Sequence, residues 1–286
     1  MVVLPLSHPM PQALTFRSFP LYSAISSNVY GRHGNGITGR KQFTVFSCAN
    51  GNGQRERNLF RRREVVEHIC LLKANKGLSD DKEKDMLDYL YTSQYQMRGI
   101  VAISLGQISA QADEDYTHAV FMRFQSKEIL AKFYENPLYL QLMKEHVLPY
   151  CHGQINVDYE SEVEDDVLHI FRKGEEYNYG VEFVLLIAFV EAAIGGPVND
   201  ALISLQELTI EHPSLILQCT QGSNFNSNSS EEYTHGVVIR FRSLDALEIF
   251  LSSSRYKDVW ESKLQPIARK TLAIHFSVDP VGTEIM

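Results

Sequence analysis

The chain has 286 residues, 44% apolar and 22% charged, proportions of an ordinary globular protein rather than a disordered or fibrous one. Its net charge of −8 provides no overall basic field to attract nucleic acid or an anionic membrane. Four cysteines (Cys48, Cys70, Cys151 and Cys219) show no C-x-x-C or paired spacing, which argues against a disulfide framework or a zinc site. The strongest apolar run, residues 183–190, is too short for membrane insertion, because a spanning helix needs about 20 residues.

The charge is unevenly placed. Residues 1–55 contain no Asp or Glu but hold Arg17, Arg32, Arg40, Lys41 and Arg55; without those five, 22 basic residues face 35 acidic ones. An acid-free, Ser- and Pro-rich, lightly basic start is the composition of a transit peptide or disordered leader, and Pro5, Pro9, Pro11 and Pro20 break every candidate secretory segment. The Phe46-Ser47-Cys48-Ala49 stretch looks like a plastid processing site. A chloroplast leader is the first expectation; a mitochondrial leader and a cytosolic tail are the alternatives. The basic cluster of Arg55, Arg57 and Arg61 to Arg63 borders a structured segment and reads as a solvated junction.

Val65 to Lys73 is a β-rich run. Ser79-Asp80-Asp81 offers a helix cap and an acidic first turn ahead of Met86, Leu87, Leu90 and Tyr91 at helical spacing. Ile100 to Leu105 is a second strand closed by Gly106, and Tyr116 to Phe124 a third. Ser126 can cap a helix carrying Ile129, Leu130, Phe133 and Tyr134, which Pro137 interrupts. Ile155 to Tyr159 supplies a fourth strand, and the acidic run from Glu160 suggests an exposed linker over 160–180. Val167 to Phe171 is either an added strand or a rival start for a second unit.

That second unit repeats the first. Asp115-Tyr116-Thr117-His118-Ala119-Val120 recurs as Glu232-Tyr233-Thr234-His235-Gly236-Val237, and the same offset matches Arg123-Phe124 with Arg240-Phe241, Phe133 with Phe250 and Tyr139 with Tyr256. Val66 to Leu71 resembles Val181 to Leu186, and Gly106 corresponds to Gly222. The fold class is α+β: two tandem β-α-β-β-α-β units of ferredoxin-like order, at 64–159 and 181–279. Such a unit leaves one sheet face bare, and burial of residues such as Ile69 and Leu71 contributes about 25 cal/mol per Å² of apolar surface. The expected solution is an internal pseudo-dimer, the two sheets pressed face to face within one molecule, with a homodimer as a further possibility.

The Glu67-His68-Ile69 opening, the Gly106 turn, Tyr-Thr-His on strand three and the Asp158-Tyr159 ending resemble the stress-responsive dimeric A/B barrel (Dabb) family, and two copies behind a leader look like its two-domain plant members. The resemblance implies a role in stress tolerance and pathogen defence. One relative is a polyketide cyclase with a Tyr and a His in its second helix, in a Tyr-x-x-x-His-Pro-x-His setting. Here the tyrosine position is Phe133 and Phe250, and the histidine position is Tyr139 and Tyr256, so neither copy keeps that dyad. Phe does not titrate, and Tyr, with a pKa near 10, is a poor general base at neutral pH. Some members hold Mg²⁺ through backbone carbonyls after the first helix; the corresponding region, Tyr91 to Met97, adds no side-chain support, and no cofactor is expected otherwise.

The remaining ligand-binding candidates are His68, His118, His235, Tyr139 and Tyr256. His118 and His235 read either as ligand contacts or proton shuttles inside the barrel, or as hydrogen-bonded residues that fix strand register. His68, opposite Phe183 in the second copy, reads as a satisfied core histidine or as a ligand contact in one half only. Cys151-His152 falls on an extended segment where neighbours face opposite ways. No Walker loop, dinucleotide fingerprint, nucleophile elbow or H-E-x-x-H occurs. The leading expectation is a non-catalytic stress or defence protein whose barrel binds a small hydrophobic molecule. The alternative is a cyclase-like enzyme that uses the histidines in place of the dyad, and a third is a pure assembly module.

Overall fold

The computed structural model describes residues 62–109, 115–168, 180–226 and 232–278, apart from the Asp166 side chain. The chain divides into two units, Met1–Glu56 and Arg57–Met286, and all described residues belong to the second. The expected leader lies outside the described residues.

The first half runs β1 (Arg62–Ala74), α1 (Asp80–Gln96), β2 (Ile100–Gln107), β3 (His118–Phe124), α2 (Lys127–Tyr134), α3 (Pro137–Leu142) and β4 (Cys151–Glu164). The second repeats it as β5 (Val181–Phe189), α4 (Gly196–Ile210), β6 (Ile216–Ser223), β7 (His235–Phe241), α5 (Leu244–Ser252), α6 (Ser254–Val259) and β8 (Ala268–Ser277). Each half forms one antiparallel sheet, in the order β2-β3-β1-β4 or β6-β7-β5-β8. Ser126 caps α2 as the sequence suggests, its hydroxyl accepting from the Ile129 amide, and Ser243 does the same at α5 from Ala246, whereas Ser79 precedes α1 without a side-chain cap bond. Pro137 begins a new helix with Asn136 as its cap.

Several boundaries differ from the sequence reading: β3 begins at His118 rather than Tyr116, and β4 at Cys151 rather than Ile155. Gly106 does not close β2, which continues to Gln107. β4 does not end at Tyr159 in an exposed linker: it pairs with β1 as far as Arg62↔Glu164, burying Val163 against Val65, Val101 and Leu168. The acidic run survives in a strand because Arg62 and Arg63 lie beside Glu164 and Asp165, at 3.7 and 3.2 Å, so opposite charges meet at the sheet end.

Strand alternation sorts every residue between two layers. Val66, Cys70 and Leu72 of β1 face α1 to α3, with Val120, Met122 and Phe124 of β3. Ile69 and Leu71 face the other way, where they form one buried cluster with Phe121, Val157 and Tyr159 of the first half and Val184, Leu186, Val238, Ile274 and Phe276 of the second. The two bare sheet faces therefore cover each other. The edges close as well: Ile108 bridges Phe276, and the Phe225 amide donates to the Asp158 carbonyl at 2.8 Å. Gly106 and Gly222 permit this approach, since a Cβ on either would come within 2.3 Å of the Ser277 carbonyl oxygen or 2.6 Å of that of Glu160.

Candidate functional site

The Tyr-Thr-His repeat works mainly as a strand-entry clamp. Tyr116 and Tyr233 join the cluster between the sheets. The Ala74 amide donates to Thr117 Oγ1 at 2.9 Å, and that hydroxyl donates to the Leu72 carbonyl at 3.1 Å; Phe189, Thr234 and Ile187 repeat the arrangement at 3.1 and 3.1 Å. The end of the first strand in each half is thus tied to the start of the third.

His118 and His235 lie on the helix side of their sheets, not inside the barrel, because alternation gives the barrel face to Ala119, Phe121 and Arg123. His118 Nε2 sits 2.5 Å from Glu83 Oε1 of α1, and the same oxygen accepts from Gln107 Nε2 at 2.7 Å. His235 pairs with hydroxyls, Ser223 Oγ and Thr234 Oγ1, both at 3.0 Å, and burial pushes its imidazole down to about 4.

His68 differs in kind. On β1 and 1% exposed, it places Nδ1 2.6 Å from Asp158 Oδ1 on β4. Tyr134, the last residue of α2, donates to Asp158 Oδ2 at 2.8 Å, and its hydroxyl lies 3.1 Å from His68 Nδ1. The second half adds two groups. Asn226 Nδ2 donates to Asp158 Oδ2 at 2.7 Å, and Asn224 Oδ1 accepts from the Asp158 amide at 3.1 Å. Burial, with Asp158 beside it, drives the Tyr134 hydroxyl far above the usual phenol range, so Tyr134 stays protonated and donates. With Nδ1 turned to the carboxylate, Nε2 is the ring nitrogen open to a further hydrogen-bond partner. The surroundings are apolar and aromatic: His68 meets Tyr134 edge-on at 5.6 Å and has Phe124 and Phe133 at 6.4 and 6.3 Å.

Tyr139 belongs to the same layer, tilted against Phe133 at 4.1 Å between ring centres, and Tyr256 packs on Phe250 at 5.2 Å. Burial raises both phenols, Tyr256 to about 12. Among the described residues, neither tyrosine meets His118 or His235 through a ring contact or hydrogen bond. Burial likewise pushes the Cys70, Cys151 and Cys219 thiols up to about 12, 11 and 12, which disfavours a Cys151–His152 thiolate pair. Among the described residues no group of three or more His, Cys, Asp and Glu is placed to hold a metal. In the region considered for Mg²⁺, the Ser93 carbonyl accepts from the Met97 amide and that of Tyr91 from the Gln94 side chain.

The second half lacks this polar arrangement. Across the ladder, His68↔Asp158 corresponds to Phe183↔His275, Tyr134 corresponds to Leu251, and Phe183 lies in an apolar cluster with Leu185 and Phe241. Asp158 and Tyr134 were visible in sequence as a strand ending and a core aromatic; the β1–β4 register brings Asp158 to His68, and the packing of α2 brings Tyr134.

The space between the sheets holds charges that the apolar strand patterns conceal. Glu67 and Arg123 form a fully buried pair, with Arg123 Nη2 donating to Glu67 Oε1 at 2.6 Å, and Glu182 and Arg240 form its counterpart at 3.0 Å. Both arginines also donate to Gln218 Oε1. Burial holds the Glu182 carboxyl up, against the pull of Arg240. Both pairs sit at repeat-matched positions, which was the available signal.

Two ferredoxin-like sheets packed face to face define an α/β barrel of the dimeric type, here folded within one chain. Residues 66–161 match the family described as "Stress responsive A/B Barrel Domain" (Dabb), so the first half carries such a domain. It is 23% identical over 263 residues to a stress-response A/B barrel domain-containing protein of Arabidopsis thaliana, covering 91% of this chain and 93% of that one. A second such protein of the same plant is 19% identical over 227 residues, covering 75% and 97%. Among solved structures, a putative monooxygenase of Fusobacterium nucleatum superposes with a TM-score of 0.53 at 8% identity, over 76% of this chain and 93% of that one. An anthrone oxidase-like protein gives 0.52 at 9%, over 76% and 92%. At such identities these structures speak for the fold alone.

Proposed function

We propose that the chain is a stress-response barrel protein whose first half takes up a small, largely apolar molecule in its helix–sheet layer, with His68, Tyr134 and Asp158 as the polar recognition group. The second half closes the barrel and steadies Asp158 through Asn224 and Asn226. One observation carries this reading: matched positions are polar in one half and largely apolar in the other. The second half shows that the fold does not require the polar group. Buried polar groups generally cost stability relative to well-packed apolar ones, so their presence in the first half supports recognition. The cluster between the sheets is built from apolar side chains of both halves and serves to join them.

The test replaces the recognition group with its second-half counterparts, as His68→Phe, Tyr134→Leu and Asp158→His. Thermal unfolding is followed with and without phenolic and lipid-like molecules. Wild type should gain stability with at least one compound class, and the variant should fold and gain none. A wild type indifferent to all of them, or a variant that no longer folds, would contradict the reading.

The His68–Asp158 pair also favours a second reading, general-base catalysis by Nε2. If turnover of an aromatic or polyketide-like substrate accompanies binding, His68→Gln should remove turnover while the ligand still raises the melting temperature. The acid-free composition of residues 1–55 supports placement in the chloroplast. A fluorescent protein fused behind those residues should enter plastids, and a diffuse cytosolic signal would overturn that placement.

A further inference from the structure

A cleft of about 400 Å³ opens beside α2, walled by Met97, Ile129 and Phe133 and rimmed by Arg98, Lys132 and Gln125. Its inner wall is shared with the recognition group, since the Phe133 ring that lines the cleft has His68 and Tyr139 at 6.3 and 4.1 Å. Among the described residues neither Arg98 nor Lys132 is ion-paired, although other exposed cations are: Lys127 reaches Glu160 and Arg255 reaches Glu211. Glu128, one turn before Lys132, turns to the Ser126 hydroxyl, which holds its carboxyl below the usual range, with Lys127 and Lys132 adding only a lesser charge attraction. Two cations with no ion pair among the described residues therefore line one cleft together with apolar side chains.

The second half again provides the contrast. Arg98 and Lys132 correspond to Ser214 and Ile249, and Arg242, at the position of Gln125, already has a partner. The cation pair belongs to the half that holds the polar recognition group.

We propose that this cleft binds the carboxylate of an amphipathic anion, Arg98 and Lys132 taking the charge while the apolar body lies over Met97, Ile129 and Phe133. Guanidinium matches a carboxylate in two-pronged geometry, and the ammonium adds a point charge in the same cleft. This rests on the reading that the first half takes up a small apolar molecule, and it assigns that molecule a negative charge.

Decanoate and decanol, equal in chain length and different in charge, serve as probes, titrated calorimetrically against the full chain and the R98Q/K132Q variant. At low salt decanoate should bind about tenfold more tightly than decanol, the scale expected of two partly exposed charge contacts. That advantage should shrink with added salt and vanish in the variant, which should keep its decanol affinity and its unfolding temperature. Equal affinities in wild type, or an advantage that survives in the variant, would overturn the charge assignment and leave uptake of an apolar molecule standing. Binding of neither probe would overturn both.

Discussion

Arg123 and Arg240, from opposite halves of the chain, donate to a single atom, Oε1 of Gln218, at 2.6 and 3.1 Å. Each keeps its own carboxylate, Glu67 or Glu182, and the Arg240 guanidinium lies 4.2 Å from the centre of the Phe121 ring of the other half. The barrel centre is therefore an ionic layer that only assembled halves can complete.

Removing one member should cost more than removing a pair. Arg240→Met leaves Glu182 buried without its counter-charge and should cost about 3 to 5 kcal/mol, whereas Glu182→Leu with Arg240→Met should recover most of that. Gln218→Ala takes an acceptor from two guanidiniums and should cost about 3 kcal/mol. Urea unfolding of the three variants checks the order; a double variant as unstable as Arg240→Met would contradict it.

The barrel edges should be intolerant of a single methyl group. Gly106→Ala and Gly222→Ala each push a Cβ onto a carbonyl of the facing strand and should cost about 1 to 3 kcal/mol. Gly153→Ala meets nothing nearer than a flexible Lys73 carbon at 3.4 Å and serves as the control. Denaturation midpoints that do not separate the first two from the third would count against the close approach.

Thr117→Val and Thr234→Val remove the hydroxyl that receives the Ala74 or Phe189 amide. Each should cost about 1 to 3 kcal/mol, the range for a donor left unsatisfied. Faster amide exchange at Ala74 and Phe189 in the respective variants is the local readout.

His235 sets a pH dependence whose sign is fixed. Its folded value of about 4 lies below the ordinary 6.5, so between the two the unfolded chain binds more protons. Stability from this residue is intact above pH 6.5, falls as the pH drops toward 4, and levels off below. His235→Gln should flatten that part of the curve in thermal unfolding measured from about pH 7.5 to 4.

Much of the fold was legible in sequence because the repeat reports its own register: Tyr116-Thr117-His118 against Tyr233-Thr234-His235 fixes the third strand of each half, and Ser126 and Pro137 mark real helix boundaries. The end of β4 was not legible, since Glu160, Glu162 and Glu164 look like linker residues until Arg62 and Arg63 are seen beside their far end. The site was half legible. His68 stood out, but its partners come from β4 and the end of α2, and the loop after β6 reaches it through Asp158, so no local pattern encodes that meeting. His118 and His235 were placed on the right strands and, under the ligand reading, on the wrong face, because a start-of-strand residue gives no clue to which layer its parity serves.

The two halves bury their bare sheets against each other inside one molecule, and the ionic layer and the glycine edges depend on that union. It is measured most directly by the nuclear Overhauser contact between the Tyr159 ring of β4 and the Gly236 α-protons of β7, where a Cβ would come within 2.9 Å of Tyr159 Cε1. A strong contact is expected in uniformly labelled protein, and it should disappear when an isotope filter selects only labelled-to-unlabelled chain pairs. A missing contact, or one that survives the filter, would contradict the intramolecular barrel.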